Sequence, residues 1–91
     1  MSFSYQAIQT GQTTATAAAT QVVPAYTSRS GIIIVNTGTT DCYIGENASV
    51  TTLTGCLLTG TKGASISFST TGAVYAITGG GSATLTWLET N

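Results

Sequence analysis

Charged side chains are almost missing from this chain, and this feature limits its fold more than any other. Five of the 91 residues are charged, which is 5% against about 25% in a typical soluble domain. The Lys, Glu and Arg side chains of solvated helices are therefore scarce, whereas threonine occupies twenty positions and glycine eleven. Threonine is β-branched and favours half-buried strands, and glycine and serine supply turns. The composition predicts an all-β domain.

Short apolar or alternating runs, separated by turn residues, predict the strands. Residues 31–36 are apolar on both faces, which predicts a central strand buried on both sides. In residues 64–69, isoleucine and phenylalanine alternate with serines, which is the period of a strand. Residues 73–78 and 83–89, joined by a glycine-rich turn, predict a hairpin. Further extended segments are expected at 3–9, 13–23, 42–44 and 55–60, with a polar loop at 46–54.

The composition argues against most catalytic and ligand chemistry. Histidine, the usual general acid or base at neutral pH, is absent, and the three carboxylates are far apart in sequence. Two cysteines without a CxxC spacing do not make a zinc site, so we expect no metal and no other cofactor. Two cations cannot neutralise a run of phosphates, which argues against nucleic acid as a partner. We expect the chain not to be an enzyme.

Neither a membrane nor an export route is indicated. The longest apolar run, residues 32–35, is far shorter than the ~20 residues that span a bilayer. The first residues have no basic region followed by an apolar core, so they do not resemble a secretory signal. Cys42 and Cys56 lie in apolar surroundings, which favours two buried free thiols. A disulfide between them requires neighbouring strands and stays open as an alternative.

Four segments follow one another in a recurring order: IIVNTGTTDCYIG at 33–45, GCLL at 55–58, GAVYAI at 72–77 and ATLTWLE at 83–89. This order of strands and turns, over residues 31–89, resembles small β-sandwich structural proteins of tailed bacteriophages. Such proteins decorate or cement capsids, or form head and tail fibres. The resemblance implies a protein without chemistry of its own that forms trimers or other small oligomers on a shell. It also implies an N-terminal segment that reaches a neighbouring capsomer.

Residues 1–28 have two interpretations. They are an arm whose backbone pairs with another subunit, or they are the first strands of the sandwich, because both need an extended backbone. Single salt bridges across a subunit contact are expected for Arg29 and Lys62, the two cations. The side chains predicted at oligomer or shell contacts are Phe3, Tyr5, Ile8, Tyr26, Arg29 and Trp87.

Together these features predict one all-β domain over residues 1–91, a single antiparallel β-sandwich of jelly-roll type. An extended N-terminal arm is expected at 1–28 and the core at 31–89. The predicted function is that of a phage capsid decoration or cement protein, made in the host cytoplasm and located in the virion. Its predicted partners are itself, as a homotrimer, and the major capsid protein or another virion protein.

Two alternatives remain for the function. One is a fibre head or adhesin that binds a host-surface carbohydrate through the aromatic side chains of Tyr26, Tyr43, Tyr75 and Trp87. The other is a subunit of a self-assembling filament. A concave aromatic patch with convergent amides would favour carbohydrate binding, and a flat apolar face would favour a structural role.

Overall fold

A computed structural model describes residues 8–90, which form strands and loops and no helix. No segment in this range is therefore a helix long and apolar enough to cross a membrane. The all-β prediction is confirmed. The strands are β1 (Ile8–Ala15), β2 (Thr20–Val23), β3 (Gly31–Asn36), β4 (Cys42–Gly45), β5 (Cys56–Leu58), β6 (Ala64–Phe68), β7 (Val74–Thr78) and β8 (Ala83–Thr90).

The strands form two antiparallel four-stranded sheets that pack face to face. Sheet A has the order β1-β8-β3-β6, and sheet B has the order β2-β7-β4-β5. The pairs β1–β8, β2–β7, β3–β6 and β4–β5 are those of one long hairpin ribbon rolled into a sandwich. This nested arrangement is the jelly roll. The predicted jelly-roll sandwich is confirmed.

The predicted hairpin at the C-terminus is wrong, although both of its strands form. β7 pairs with β2 and β4 in sheet B, whereas β8 pairs with β1 and β3 in sheet A. The glycine-rich turn between them carries the chain from one sheet to the other, with Gly81 at a φ of 75°. The apolar sides of β7 and β8 face each other in this arrangement, so Ala76 and Leu85 are buried in one core.

The core between the sheets is built mainly from small aliphatic side chains. Its buried members are Ala15, Val22, Val23, Ile32, Ile34, Cys42, Ile44, Leu58, Val74, Ala76, Ala83 and Leu85. Because a domain of this size buries a limited fraction of its surface, a thin core leaves a modest margin of stability. A single unpaired polar group or steric clash inside the sandwich therefore removes a large fraction of the folding stability.

Asn36, at the end of β3, is fully buried and satisfies its amide within the chain. Its Nδ2 donates to the carbonyls of Thr40 at 2.9 Å and Thr59 at 3.1 Å. Its Oδ1 accepts a hydrogen bond from the backbone N–H of Gly38 at 2.9 Å. One amide thus holds the β3–β4 turn against the segment that follows β5.

The positions of β1 and β2 distinguish between the two interpretations of residues 8–23, an intersubunit arm or the first strands of the sandwich. Both strands belong to the sandwich, β1 at an edge of sheet A and β2 at an edge of sheet B. The extended run predicted at 13–23 is interrupted at 16–19, because the chain leaves sheet A there and enters sheet B. The first-strand interpretation therefore holds for these residues. Residues 1–7, the rest of the predicted arm's extended part, lie outside the described residues.

Candidate interaction surfaces

Arg29 and Glu89 form an ion pair inside the protein. Their exposed fractions are 4% and 5%, and Nε of Arg29 donates to Oε1 of Glu89 at 3.1 Å. Its Nη1 donates to the backbone carbonyls of Thr70 at 3.1 Å and Gly72 at 2.9 Å, and its Nη2 donates to the carbonyl of Pro24. The subunit contact predicted for Arg29 is thus corrected, because this guanidinium is buried and bound within its own chain.

Trp87 faces the core side of sheet A. It lies opposite Gly11 in the β1–β8 register, and a Cβ added to Gly11 would be 2.2 Å from Cζ2 of the indole. The ring packs as a partly buried group against the core. Its Nε1 is buried and has no hydrogen-bond partner among the described residues. The ring covers β1, and because Trp87 stays partly exposed, the contact predicted for it remains a prediction.

Tyr26 and Ile8 are the other predicted contact residues within the described part of the chain. Tyr26 lies half-buried in the loop between β2 and β3, where its backbone N–H donates to the carbonyl of Thr71 at 2.9 Å. Ile8 is at the start of β1 and is 52% exposed. Phe3 and Tyr5 lie outside the described residues, so their role in a subunit contact stays a prediction.

The outer face of sheet A carries no charged side chain. Hydroxyl-bearing residues surround an aliphatic centre formed by Ile33, Val35 and Leu88, and Leu88 is 36% exposed. The sequence predicts burial on both sides of β3, but a two-layer sandwich leaves this side half-buried. The residues of the outer face of sheet A are Ile8, Thr10, Gln12, Thr14, Gly31, Ile33, Val35, Ser65, Ser67, Thr84, Thr86, Leu88 and Thr90.

The outer face of sheet B is aromatic and aliphatic. Tyr43 lies between Ile77 of β7 and Leu57 of β5, and Leu57 is 49% exposed. Tyr75 is one row away, and its hydroxyl donates to Oε1 of Gln21 at 3.4 Å. This face therefore holds two of the four aromatic residues that the carbohydrate alternative requires. Trp87 and Tyr26 lie elsewhere, so the four rings do not form one surface.

A shallow hollow adjoins Tyr43. It is also lined by Thr39, Thr40 and Asp41 and by the glycines of the β7–β8 turn. Oδ1 of Asp41 accepts a hydrogen bond from the N–H of Gly60 at 2.6 Å. Sugar-binding sites combine an aromatic ring with carboxylate and hydroxyl groups, and this hollow has all three. The hollow is open rather than concave.

The third surface is a cleft where the sheets separate, at the edge formed by β5 and β6. Its volume is about 390 Å³. Aliphatic and aromatic side chains from both sheets line it, among them Ile44, Val74, Ile66 and Phe68. The exposed Cys56 also lines the cleft. Across residues 8–90, no group of three His, Cys, Asp or Glu side chains is placed to hold a metal ion.

The two cysteines differ sharply in environment. β4 and β5 are neighbours, but Cys42 is opposite Leu58 and Cys56 is opposite Ile44, and both thiols are free. The predicted burial holds for Cys42 and is wrong for Cys56, which is exposed at the end of a three-residue edge strand. Burial, with a smaller effect of the Asp41 carboxylate, raises the pKa of the Cys42 thiol from 9.0 to about 11.

We expect Ellman's reagent to modify one thiol of the folded protein at pH 8 and two thiols in urea. Cys42 stays protonated and shielded, because the thiolate is the reactive form and its pKa is raised. Cys56→Ser should abolish the reaction of the folded protein, and Cys42→Ala should leave it unchanged. Equal rates of modification at both thiols would contradict the burial of Cys42.

Comparisons with known proteins show a shared fold and no sequence family. No protein-family model and no curated protein matches the sequence. The structure is similar to the stem and receptor-binding domain of the spike protein P1 from bacteriophage PM2, with a TM-score of 0.55 and 20% identity. The match covers 89% of this chain and 33% of that chain, so this chain spans about a third of the spike structure. At this identity the likeness establishes the fold alone.

Proposed function

We propose that this chain is a structural protein of a bacteriophage virion that acts through binding surfaces and catalyses no reaction. The observation that carries the proposal is the charge-free outer face of sheet A, on a jelly roll that resembles part of a phage spike. The phage-like order of strands and turns over residues 31–89 points in the same direction. The three exposed charged residues, Asp41, Glu46 and Lys62, lie in turns and loops away from this face.

The finer proposal is a homo-oligomer, a trimer in its specific form, that buries the outer face of sheet A. Self-association of two charged faces meets like-charge repulsion, whereas this face presents hydroxyls, aliphatic groups and the amide of Gln12. Burial of its aliphatic centre removes apolar area from water, which stabilises the complex by about 25 cal/mol per Å² before the costs of association. A domain with a thin core gains stability from such an assembly.

We expect light scattering to give a fixed mass of three chains over a range of concentrations. Thr86→Lys, beside Val35 on the outer face of sheet A, should weaken association at least tenfold, because it places an unpaired cation in an apolar contact. Thr71→Lys, at an exposed loop position, is the matched control and should leave the mass unchanged. A monomer at all concentrations, or equal behaviour of the two variants, would overturn the proposed face.

The specific role within the virion is proposed as capsid decoration. We expect the oligomer to sediment with empty capsids of the phage that encodes it and to raise the temperature at which those shells open. Thr86→Lys should reduce both effects if the oligomer is the binding unit. If the oligomer forms but does not bind the shells, the proposal of capsid decoration is wrong. The second candidate role in the virion would then remain.

The second candidate is a spike or fibre head that binds a carbohydrate. Tyr43, with Asp41 and the hydroxyls of Thr39 and Thr40 around the adjoining hollow, favours it. This role predicts that the protein binds an oligosaccharide, that Tyr43→Ala abolishes the binding, and that the control Tyr26→Ala preserves it. This result would favour carbohydrate binding over decoration. The two outcomes are separable because the hollow and the outer face of sheet A lie on opposite sheets.

A further inference from the structure

The two sides of the sandwich are closed to different degrees. At one side the edge strands β1 and β2 lie against each other, and Oγ1 of Thr13 donates to the backbone carbonyl of Val22 at 3.1 Å. At the other side lie the edge strands β5 and β6, with the cleft of about 390 Å³ between the sheets. This volume falls in the ~300–1,000 Å³ range of pockets that take organic groups. The side of β5 and β6 is therefore the open one.

The sequence of β6 does not protect the free edge of this strand. Among the described strands β6 pairs with β3 alone, so its other edge presents a row of unpaired backbone N–H and C=O groups. Natural edge strands are commonly protected by charged residues, proline or a bulge. β6 has none of these, whereas β2 has a shift in register and is followed by Pro24. The edge of β6 can therefore accept a further strand.

The side chains of β6 determine which kind of strand fits. Ile66 and Phe68 lie on the core side of sheet A and line the cleft, but both remain half-buried. Ser65 and Ser67 are exposed on the outer face. An added strand with apolar residues at alternate positions would cover the two apolar side chains and continue the polar outer face. Backbone hydrogen bonds supply the affinity in this mode, and pockets for alternate side chains supply the specificity.

Glu46 gives the cleft a negative charge. It follows β4, is exposed, and is the one charged residue that the described part of the chain contributes to the lining of the cleft. Within residues 8–90 its carboxylate forms no ion pair, since the two members of the ion pair found there are Arg29 and Glu89. A cation on the incoming strand would therefore meet a carboxylate at an apolar surface. The complementary partner has a Lys or Arg beside its alternating apolar residues.

The proposed trimer favours a different protein over a second copy of this chain. Pairing of β6 with β6 of another copy would be a two-fold contact, in which the same edge serves both partners. Such a contact would join trimers and raise the mass above three chains, whereas the trimer is expected to have a fixed mass. The free edge of β6 is then left for another protein of the virion.

We propose that the free edge of β6 binds an extended segment of a capsid shell protein, with alternating apolar side chains in the cleft between β5 and β6 and a Lys or Arg beside Glu46. The shell as the source of this segment rests on the proposed function. The preference for a cationic segment with a period of two rests on β6 and Glu46 alone.

Selection from a random library of short peptides tests this preference, with the purified full chain as the bait. We expect the wild-type chain to enrich peptides with alternating apolar residues and a Lys or Arg at one position. Glu46→Lys should enrich Asp or Glu at that position, because the charge beside the cleft is reversed. A peptide selected by the wild type should bind Glu46→Lys about tenfold more weakly at low ionic strength, and added salt should reduce the difference.

Ala48→Lys is the matched control, because it adds a cation at an exposed position outside the cleft. It should change the affinity for the selected peptide less than twofold. Enrichment without alternation, the same charge preference in the wild type and Glu46→Lys, or equal effects of the substitutions at Glu46 and Ala48 would each overturn the proposal.

Cys56 reports where the selected peptide binds, because its exposed thiol lines the cleft. At saturating concentration the peptide should slow the reaction of Cys56 with Ellman's reagent at least fivefold. An unchanged rate would overturn binding in the cleft. A mass above three chains that falls when the peptide is added would assign the edge of β6 to a second copy, and this result would also overturn the proposal.

Sedimentation with empty capsids distinguishes the peptide site from the proposed function. Glu46→Lys should reduce the amount of protein that sediments with the shells and leave the trimer mass unchanged. Equal sedimentation of Glu46→Lys and the wild type would overturn the shell as the source of the segment. If the wild type does not bind shells but binds the selected peptide and protects Cys56, capsid decoration is wrong and the peptide site is supported.

Discussion

Arg29→Met is expected to destabilise the folded protein by about 3–5 kcal/mol, the cost of removing one partner from a buried ion pair. The substitution leaves the carboxylate of Glu89 buried without its 3.1 Å partner. It also removes the donors to the carbonyls of Thr70, Gly72 and Pro24. In a domain whose total stability is about 5–15 kcal/mol, this loss lowers the Tm by roughly 12–40 °C. Urea denaturation followed by circular dichroism measures the change.

Two further variants separate the charge from the shape of the side chain. Lys62→Met makes the same chemical change at an exposed turn and should alter stability by less than about 0.5 kcal/mol. Arg29→Met combined with Glu89→Leu should be more stable than Arg29→Met alone, because no unpaired charge remains in the interior. If Arg29→Met and Lys62→Met have equal effects, the buried ion pair contributes nothing.

The ion pair between Arg29 and Glu89 could not be predicted from sequence patterns. Glu89 is 60 residues away along the chain, and no periodicity connects the two positions. In a chain with so few charges, an arginine is expected at the surface. Arg29 is instead buried, and its hydrogen bonds join the β2–β3 loop to the segment before β7 and to β8. The buried role follows only from the topology that brings these three segments together.

Strand positions were accessible from the sequence, and strand partners were not. The alternation in β6 and the glycine boundaries of β3 and β5 mark strands at positions that the structure confirms. For β7 and β8, a period of two locates each strand but leaves its sheet undetermined. A short turn then suggests a hairpin, whereas in this jelly roll the chain changes from sheet B to sheet A between β7 and β8.

The candidate surfaces were partly visible in the sequence. The apolar run of β3 predicted burial on both sides, and the side left half-buried is now the centre of the outer face of sheet A. The cleft at the edge of β5 and β6 had no sequence signal, because its walls come from strands of different sheets. Only the topology brings these walls together.

Gly11→Ala is expected to cost about 1–3 kcal/mol, the usual range for overpacking. The added Cβ would be 2.2 Å from the indole of Trp87, so either the ring or β1 must move. The ring cannot rotate freely, because it also packs against the core. β1 is an edge strand that pairs with β8 alone among the described strands, so the substitution is expected to loosen it. Hydrogen exchange of the β1 amides measures this loosening directly.

Gly80→Ala is the matched control, because its Cβ meets no atom within 4 Å, and it should be close to neutral. Trp87→Phe removes the part of the indole that approaches Gly11, together with the N–H that has no partner among the described residues. The cost of Gly11→Ala should therefore be smaller in the Trp87→Phe background than in the wild type, a coupling that a double-mutant cycle measures. Additive effects of the two substitutions would show that the ring does not hold β1. The edge of sheet A would then owe its order to the backbone pairing with β8.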